Sequence, residues 1–523
     1  MSQSKELSRR DFLELAGACG LVMAGDSASA SSEVVASADA KRVLRIRNNR
    51  RLEVLDPAFT FNQIEIALDY ALLPMLVEAR YGGKGWAPLD ASVVELLDDT
   101  HIRFVLKDNL FWSNGFGRVT AHDVKASFER IADPRNKSLY TDDWSTLLRV
   151  EVRSDLEGIL VLSEPFSPLL TTSLAGPAGA ILPAAALRDR ESKNFGLDLP
   201  AIAGPYRISS MDPGRQITLE RNPLWRGRPP RHERIELVLV VDDKAAELAY
   251  DAGEVDATRL SASSLQHYRS RKMPGSVIQS HPLHAYTWLG MRVDHPLFRD
   301  IRVRRAVQQA VNVQEVVEGT YFGAVAPATG PIAPGVVGYR KISTLPRWDP
   351  AAARRLLAEA GFPRGFRTVI TTINEAEMTA AATIVATQLR EIGIRAEVAP
   401  EDNNSVWVRA QGPLKYRSDD QMILWQFGVS ADPHWYTVWF TPGQIGKWNW
   451  ERWNSAEFGE LARRGTRTSD PAVRHSIYVQ MANLMDASGA YVFLANGESA
   501  VIHRRDVAYK VRQNPLQPAF REM

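Results

Sequence analysis

The chain has 523 residues, and 63 Lys and Arg against 61 Asp and Glu give a net charge of +2. That balance, with no long run of one sign, excludes the basic footprint of a nucleic-acid binder. A lone cysteine, Cys19, excludes internal disulfides, thiolate zinc sites and iron–sulfur clusters, and the length allows two or three domains.

The first element is a leader. Ser8-Arg9-Arg10-Asp11-Phe12-Leu13 precedes a weakly apolar run from Leu13 to Ala24. This pattern reads as a twin-arginine export signal. The run of about 12 residues is too short to cross ~30 Å of hydrocarbon, and Glu14 interrupts it. Ala28-Ser29-Ala30 is the expected cleavage site, so residues 1–30 are read as signal and 31–40 as spacer, with a second small-residue site near Ala40. Cys19 offers a lipid anchor instead, but Ala16 stands where a lipoprotein signal usually carries Leu or Val. The expectation is a periplasmic or extracytoplasmic protein, released from the membrane.

After Ala40, strands alternate with capped helices. Val43 to Arg47 alternates at period two, as a half-buried strand does. Thr120 opens a helix, with Asp123 completing a capping box and Val124, Phe128 and Ile131 on one face. Asp300 caps a second helix. Asn312 and Glu315 form another capping box, with Gly319 expected to close that helix in the left-handed conformation. Asp349-Pro350 starts a helix that runs to Gly361. Met378, Ala381, Val385, Leu389 and Ile392 share one face of the next, Gly393 ends it, and Ile394 to Val398 follows as a strand. Such alternation predicts an α/β fold with sheets covered by helices. Turn-rich connectors fall at Gly82 to Gly85, Arg226 to Pro230 and Pro327 to Pro334.

No catalytic motif emerges: no nucleophile elbow, zinc-protease helix, phosphate loop or dinucleotide fingerprint. Pro282 interrupts any helix that could aim His281 and His284 together, so the reading there is a turn with two exposed imidazoles. No metal and no cofactor are expected. The aromatics say more. Six of the 13 Trp fall between Trp425 and Trp453, interleaved with Phe427, Tyr436 and Phe440. Either they fill a core, or, on loops broken by Asp432-Pro433 and Pro442-Gly443, they wall a concave site.

At this point the chain resembles the extracellular solute-binding proteins of family 5, the receptors for peptides, nickel and related solutes that serve ATP-driven importers. The resemblance covers roughly residues 43–510. It is carried by Leu55-Asp56-Pro57-Ala58, by Trp112-Ser113-Asn114-Gly115, and by Thr120 to Val124 with Ser127-Phe128-Glu129-Arg130. Glu164 to Pro168, Ala203-Gly204-Pro205-Tyr206, Gly253 to Asp256, Phe298 to Ala306 and Asp349 to Phe362 follow in family order. Each segment alone is weak, but together and in order they are specific.

The resemblance implies a two-lobed periplasmic-binding-protein-like fold with an extra subdomain. Lobe I would span 41–80, 200–285 and the return 496–523, with a subdomain inserted at 81–199 and lobe II at 286–495. Hinges would lie near Trp288-Leu289-Gly290 and Asn496-Gly497. It further implies a monomeric, non-enzymatic receptor that closes on a peptide or other small-molecule ligand and docks on the membrane permease of an ABC importer. Trp425 matches a cleft-wall position, and Asp432, Trp435 and Tyr436 are placed in the site by proximity. The sequence departs from peptide-binding members where an Asp holds the peptide ammonium: the matching residue is Gly428 or Val429. Opines and oligosaccharides are therefore alternatives to peptides, nickel at His434 a weaker one, and an exported hydrolase the alternative of another class.

Overall fold

The computed structural model describes residues 43–79, 85–188, 194–271, 273–402, 420–428, 432–512 and 517–523. The leader, with Arg9, Arg10 and Cys19, lies outside the described residues, as does Val429. Residues 40–523 form one compact unit.

Three larger sheets organise that unit. The first has seven strands, in the order Ser276–Pro282, Glu498–Arg504, Ala257–Leu260, Val43–Asn48, Arg234–Leu239, Gln216–Arg221 and Tyr206–Asp212. Val43–Asn48 runs parallel to both of its neighbours. A second sheet of five strands is ordered Arg395–Glu401, Arg367–Ile373, Met422–Gly428, Ala285–Met291 and Tyr491–Ala495. A four-stranded antiparallel sheet, Ala91–Leu96, His101–Leu106, Glu157–Leu162 and Leu147–Val152, shares a hydrophobic core with the first.

The five-stranded sheet is buried on both faces, so its central strands read as unbroken apolar runs. Leu289, Met291, Leu424 and Val492 pack on one face under the helices Ile301–Ala310 and Ala376–Glu391. Their neighbours Trp288, Trp425, Phe427, Tyr491 and Phe493 point to the other face, because side chains alternate along a strand. That second face is almost wholly aromatic.

The family-like segments turn out to be staples. Arg130 makes two hydrogen bonds to Asp56, at 3.0 and 2.6 Å, joining Leu55-Asp56-Pro57 to Ser127-Phe128-Glu129-Arg130. Thr120 and Asp123 form the expected capping box, while Asp123 also accepts from Trp112 Nε1 at 3.2 Å and from the Ala184 N–H at 2.7 Å. A Cβ on Gly204 would lie 2.2 Å from the Ala71 carbonyl oxygen, so only glycine lets those backbones meet.

Three local expectations are corrected. The helix Val313–Tyr321 runs through Gly319 and ends at Phe322, which adopts φ 52°. Gly319 serves close packing instead, since a Cβ there would lie 2.6 Å from Ile384. The second capping box is half formed: Asn312 accepts from the Glu315 N–H, but the Asn312 N–H donates to Gln388 Oε1 at 3.1 Å, not to Glu315. His284 is buried, 4% exposed, not at an open turn.

The passage between the two large sheets also differs from expectation. Trp288-Leu289-Gly290 lies inside the strand Ala285–Met291, fully paired on both sides. The first crossing lies at Leu283-His284 instead, and the second at Asn496-Gly497, the position named from the sequence; there the Leu283 N–H donates to the Gly497 carbonyl at 3.2 Å. The tail packs into the core shared by the first and the four-stranded sheets, where Arg521 holds Asp90 and the carbonyls of Tyr70 and Leu73.

Candidate functional site

The Trp-rich stretch begins on a strand. Met422–Gly428 pairs with Ala285–Met291 in a register that sets Trp425 opposite Trp288. Asp432 then caps the short helix Pro433–Thr437, accepting from the His434 N–H at 2.9 Å, with Pro433 in its first turn. Turns built on Pro442 carry the chain to Asn449, whose Nδ2 donates to three carbonyls, of Phe440, Thr441 and Trp453. Those bonds fold the loop back on the aromatic face of the sheet.

The aromatics divide between a core and its partly exposed rim. Trp425 is 1% exposed and Tyr436 0%, within a core of Tyr286, Trp288, Phe427, Phe440 and Trp450. Trp435, Trp439, Trp448 and Trp453 are partly exposed at its rim. Trp435 and Trp439 stand edge to face at 5.2 Å, as do Trp439 and Trp448 at 5.7 Å. Among the described residues, the indole N–H groups of Trp435 and Trp439 are buried without a hydrogen-bond partner. Such donors favour an acceptor brought to them.

The four candidate residues thus fall into distinct settings. Trp425 and Trp435 belong to the core and the rim of one aromatic wall. Tyr436 shares a hydrogen bond with His284 Nδ1 at 3.1 Å, beside the chain crossing, and burial drives its hydroxyl pKa well up. Asp432 is 2% exposed and committed: Arg474 donates to both its oxygens, at 2.8 and 3.1 Å, and Thr171 Oγ1 lies 3.2 Å away. Gly428 ends its strand and offers no charge.

Thr171 belongs to the segment after the four-stranded sheet, so this bond spans separate parts of the fold. The same segment sends Glu164 to Arg467 and sets Phe166 edge-on to His434 at 5.8 Å. Burial pushes the His434 imidazole down to about 4, so it is neutral near pH 7. Among the described residues, no group of three or more His, Cys, Asp or Glu could hold a metal ion.

Glu451 was not singled out from the sequence, although a carboxylate between Trp450 and Trp453 was a visible anomaly. It is 1% exposed and accepts from Trp288 Nε1 at 2.7 Å. Burial pushes its carboxyl up to about 7. Gly290 makes room for it, since a Cβ there would lie 2.0 Å from Oε1. Arg474 lacked any local signal; its partner lies 42 residues away.

The family model for bacterial extracellular solute-binding proteins, family 5 (middle), matches residues 87–448. A protein of Escherichia coli strain K12, described as a probable D,D-dipeptide-binding periplasmic protein, is 23% identical over 480 residues, covering 90% of this chain and 91% of that one. Among solved structures, the periplasmic binding protein DppA of Helicobacter pylori in complex with the peptide STSA aligns with a TM-score of 0.78 at 21% identity, over 92% of this chain and 97% of that one. The MoaA protein of A. tumefacien R10 in complex with mannopinic acid gives the same TM-score and identity, over 92% and 98%.

Proposed function

The chain belongs to the bacterial extracellular solute-binding proteins of family 5, and from that premise we propose that it captures a peptide or peptide-like solute between two closing lobes and presents it to the permease of an ABC importer. The observation that carries this reading is a pair of ties between the lobes. The chain crosses twice, at Leu283-His284 and Asn496-Gly497. Beyond the covalent crossings, Thr171 meets Asp432 and Glu164 meets Arg467. Two strands of chain that can act as a hinge, with breakable polar contacts between the lobes, suit capture by closure.

In this reading Trp435 faces the ligand and offers its indole N–H, while Trp425 and Tyr436 stiffen the wall behind it. Asp432 takes part in the polar contacts between the lobes and is held by Arg474. A peptide ammonium is therefore not its partner. Peptide binding is favoured by the D,D-dipeptide relative and the STSA complex. The mannopinic acid complex supports an opine as the second reading. The receptor acts as a monomer, without chemical change to its ligand, and Arg9-Arg10 directs its export by the twin-arginine route.

Native mass spectrometry of the purified protein, then a thermal-shift screen with di- to pentapeptides, tests the ligand class. Peptide-dependent stabilisation is expected, and stabilisation by opines alone would overturn the peptide reading. Turnover of any bound peptide would overturn the receptor reading. Replacing Arg9-Arg10 with Lys-Lys should trap the protein in the cytoplasm, and continued export would show another route.

A further inference from the structure

The seven-stranded sheet ends on one side at the strand Ser276–Pro282, paired among the described residues with Glu498–Arg504 alone. At either end of that pairing the bonds fall on odd-numbered residues of the edge. The Arg505 N–H donates to the Gly275 carbonyl at 2.7 Å, and the Leu283 N–H to the Gly497 carbonyl at 3.2 Å. Bonding alternates along an antiparallel pair, so Val277, Gln279 and His281 bond inward, and Ser276, Ile278 and Ser280 turn their backbone groups outward. Both ends of this outer edge are closed. The Ser276 N–H donates to the Met273 carbonyl at 3.2 Å, and Pro282 has no N–H. What stays open is centred on Ile278, between the Ser276 carbonyl and the Ser280 N–H.

A groove of about 400 Å³ lies beside this edge, within the range of about 300–1,000 Å³ in which proteins hold ligands. Tyr268, Met273, Pro274, Ile278 and Ile502 wall it, with Arg269 at the rim. The outward-bonding residues also point their side chains to this side. Ile278 lines the groove, Ser276 Oγ meets Tyr250 Oη at 2.7 Å, and Ser280 Oγ accepts from Arg269 Nη2 at 2.9 Å. The Arg269 side chain is 42% exposed, and the Glu498 carboxylate, at 3.8 Å, is too far for a hydrogen bond. Its guanidinium therefore has N–H groups to spare.

These features select an occupant. Open backbone groups on an edge strand are met by another strand. In an antiparallel segment, the residue opposite Ile278 points to the same face, into the groove. The residue two positions before it lies opposite Ser280, beside Arg269. We propose that this edge docks an extended segment of a partner protein, carrying a large apolar residue with Asp or Glu two positions before it. Every residue lining the groove belongs to the seven-stranded side, so a segment of a longer chain can enter and leave without closure of the lobes. A second copy does not supply the pattern through the same edge, because Ser276–Pro282 reads SVIQSHP and brings no carboxylate to Arg269. The site lies away from the aromatic wall, and the inference goes beyond ligand capture.

The experiment is calorimetric titration of the full chain with acetyl-Thr-Glu-Val-X-Thr-Thr-amide, where X is Val, Leu or Phe. At least one should bind. N-methylation at X removes the N–H aimed at the Ile278 carbonyl and should weaken binding at least about tenfold, while N-methylation at the preceding Val, whose N–H faces away, should change it by less than about threefold. R269Q, and Gln in place of Glu in the peptide, should each weaken binding about tenfold, and both together little more than either. Circular dichroism and the Tm check that R269Q folds. A diazirine-bearing leucine at X should cross-link to Tyr268, Met273 or Ile278, mapped by tandem mass spectrometry. Cross-links confined to residues 425–453 would place the peptide on the aromatic wall and overturn the inference. So would equal losses from the two N-methylations, or no binding by any of the three peptides. A dimer in sedimentation that the peptide dissolves would assign the edge to a second copy, which also overturns it.

Discussion

Glu451 is a carboxylate set among aromatic rings, with one bond from Trp288 and, among the described residues, no partner for Oε2. Its ordinary pKa of 4.5 rises to about 7 on folding because burial disfavours the charge. Its stabilising contribution is therefore complete below about pH 4.5 and lost as pH rises through 7, on the order of 3 kcal/mol in all. Glu451→Gln keeps an oxygen for Trp288 and removes the charge. Its Tm should fall less steeply than that of the native protein from about pH 5 to about pH 8, with the remaining slope due to other buried carboxyls such as Asp143 and Asp69; parallel curves would refute this. His284 and His434 act on the acid side, where burial pushes both down to about 4. Their contribution is present above about pH 6.5 and lost as pH falls through 4. Replacing His284 with Asn should flatten part of that acid limb, measured by urea midpoints at stepped pH. None of these settings was legible locally. Pro282 between His281 and His284 argued a turn, but whether an imidazole faces water depends on what packs over it, here Tyr436.

At the scale of elements, the caps were the best-written part of the sequence. Thr120, Asp300 and Asp349 cap helices through bonds spanning two or three residues. Helix ends set by packing were not. Gly319 had the residue type of a terminator, but Thr320 and Tyr321 are buried and draw the helix on to Phe322. Phe322 is 56% exposed and bears the left-handed conformation that a side chain resists. Phe322→Gly should raise stability by up to about 1 kcal/mol, read from the denaturant midpoint. Gly204→Ala should cost at least about 3 kcal/mol, because a backbone carbonyl blocks the added methyl. A change under about 1 kcal/mol would mean that Ala71 can retreat.

For the whole molecule, the proposed closure predicts that the polar contacts of Thr171 and Glu164 slow ligand release. Thr171→Val with Glu164→Gln removes two contacts to the second lobe. The exposed Glu164–Arg467 pair is worth about 0–1 kcal/mol and the part-buried Thr171–Asp432 hydrogen bond about 0.5–1.5 kcal/mol, so ligand release should speed by several-fold in stopped flow, with a small fall in the Tm of the unliganded protein. Unaltered release would place the barrier elsewhere. Small-angle scattering should show the protein contract on binding ligand.

By itself the sequence determined the fold class, the helix starts and the family, since each rests on short-range pattern or on the order of segments along the chain. It also marked residues 425–453 as exceptional. Only the tertiary structure decided which of those tryptophans are core and which are rim, because alternation along Met422–Gly428 sorts them by face only once the sheet is covered. It alone paired Asp432 with Arg474, buried Glu451 against Trp288, and moved the crossing to Leu283-His284. Each of these joins residues far apart in sequence, where no local propensity acts and packing alone selects the partner.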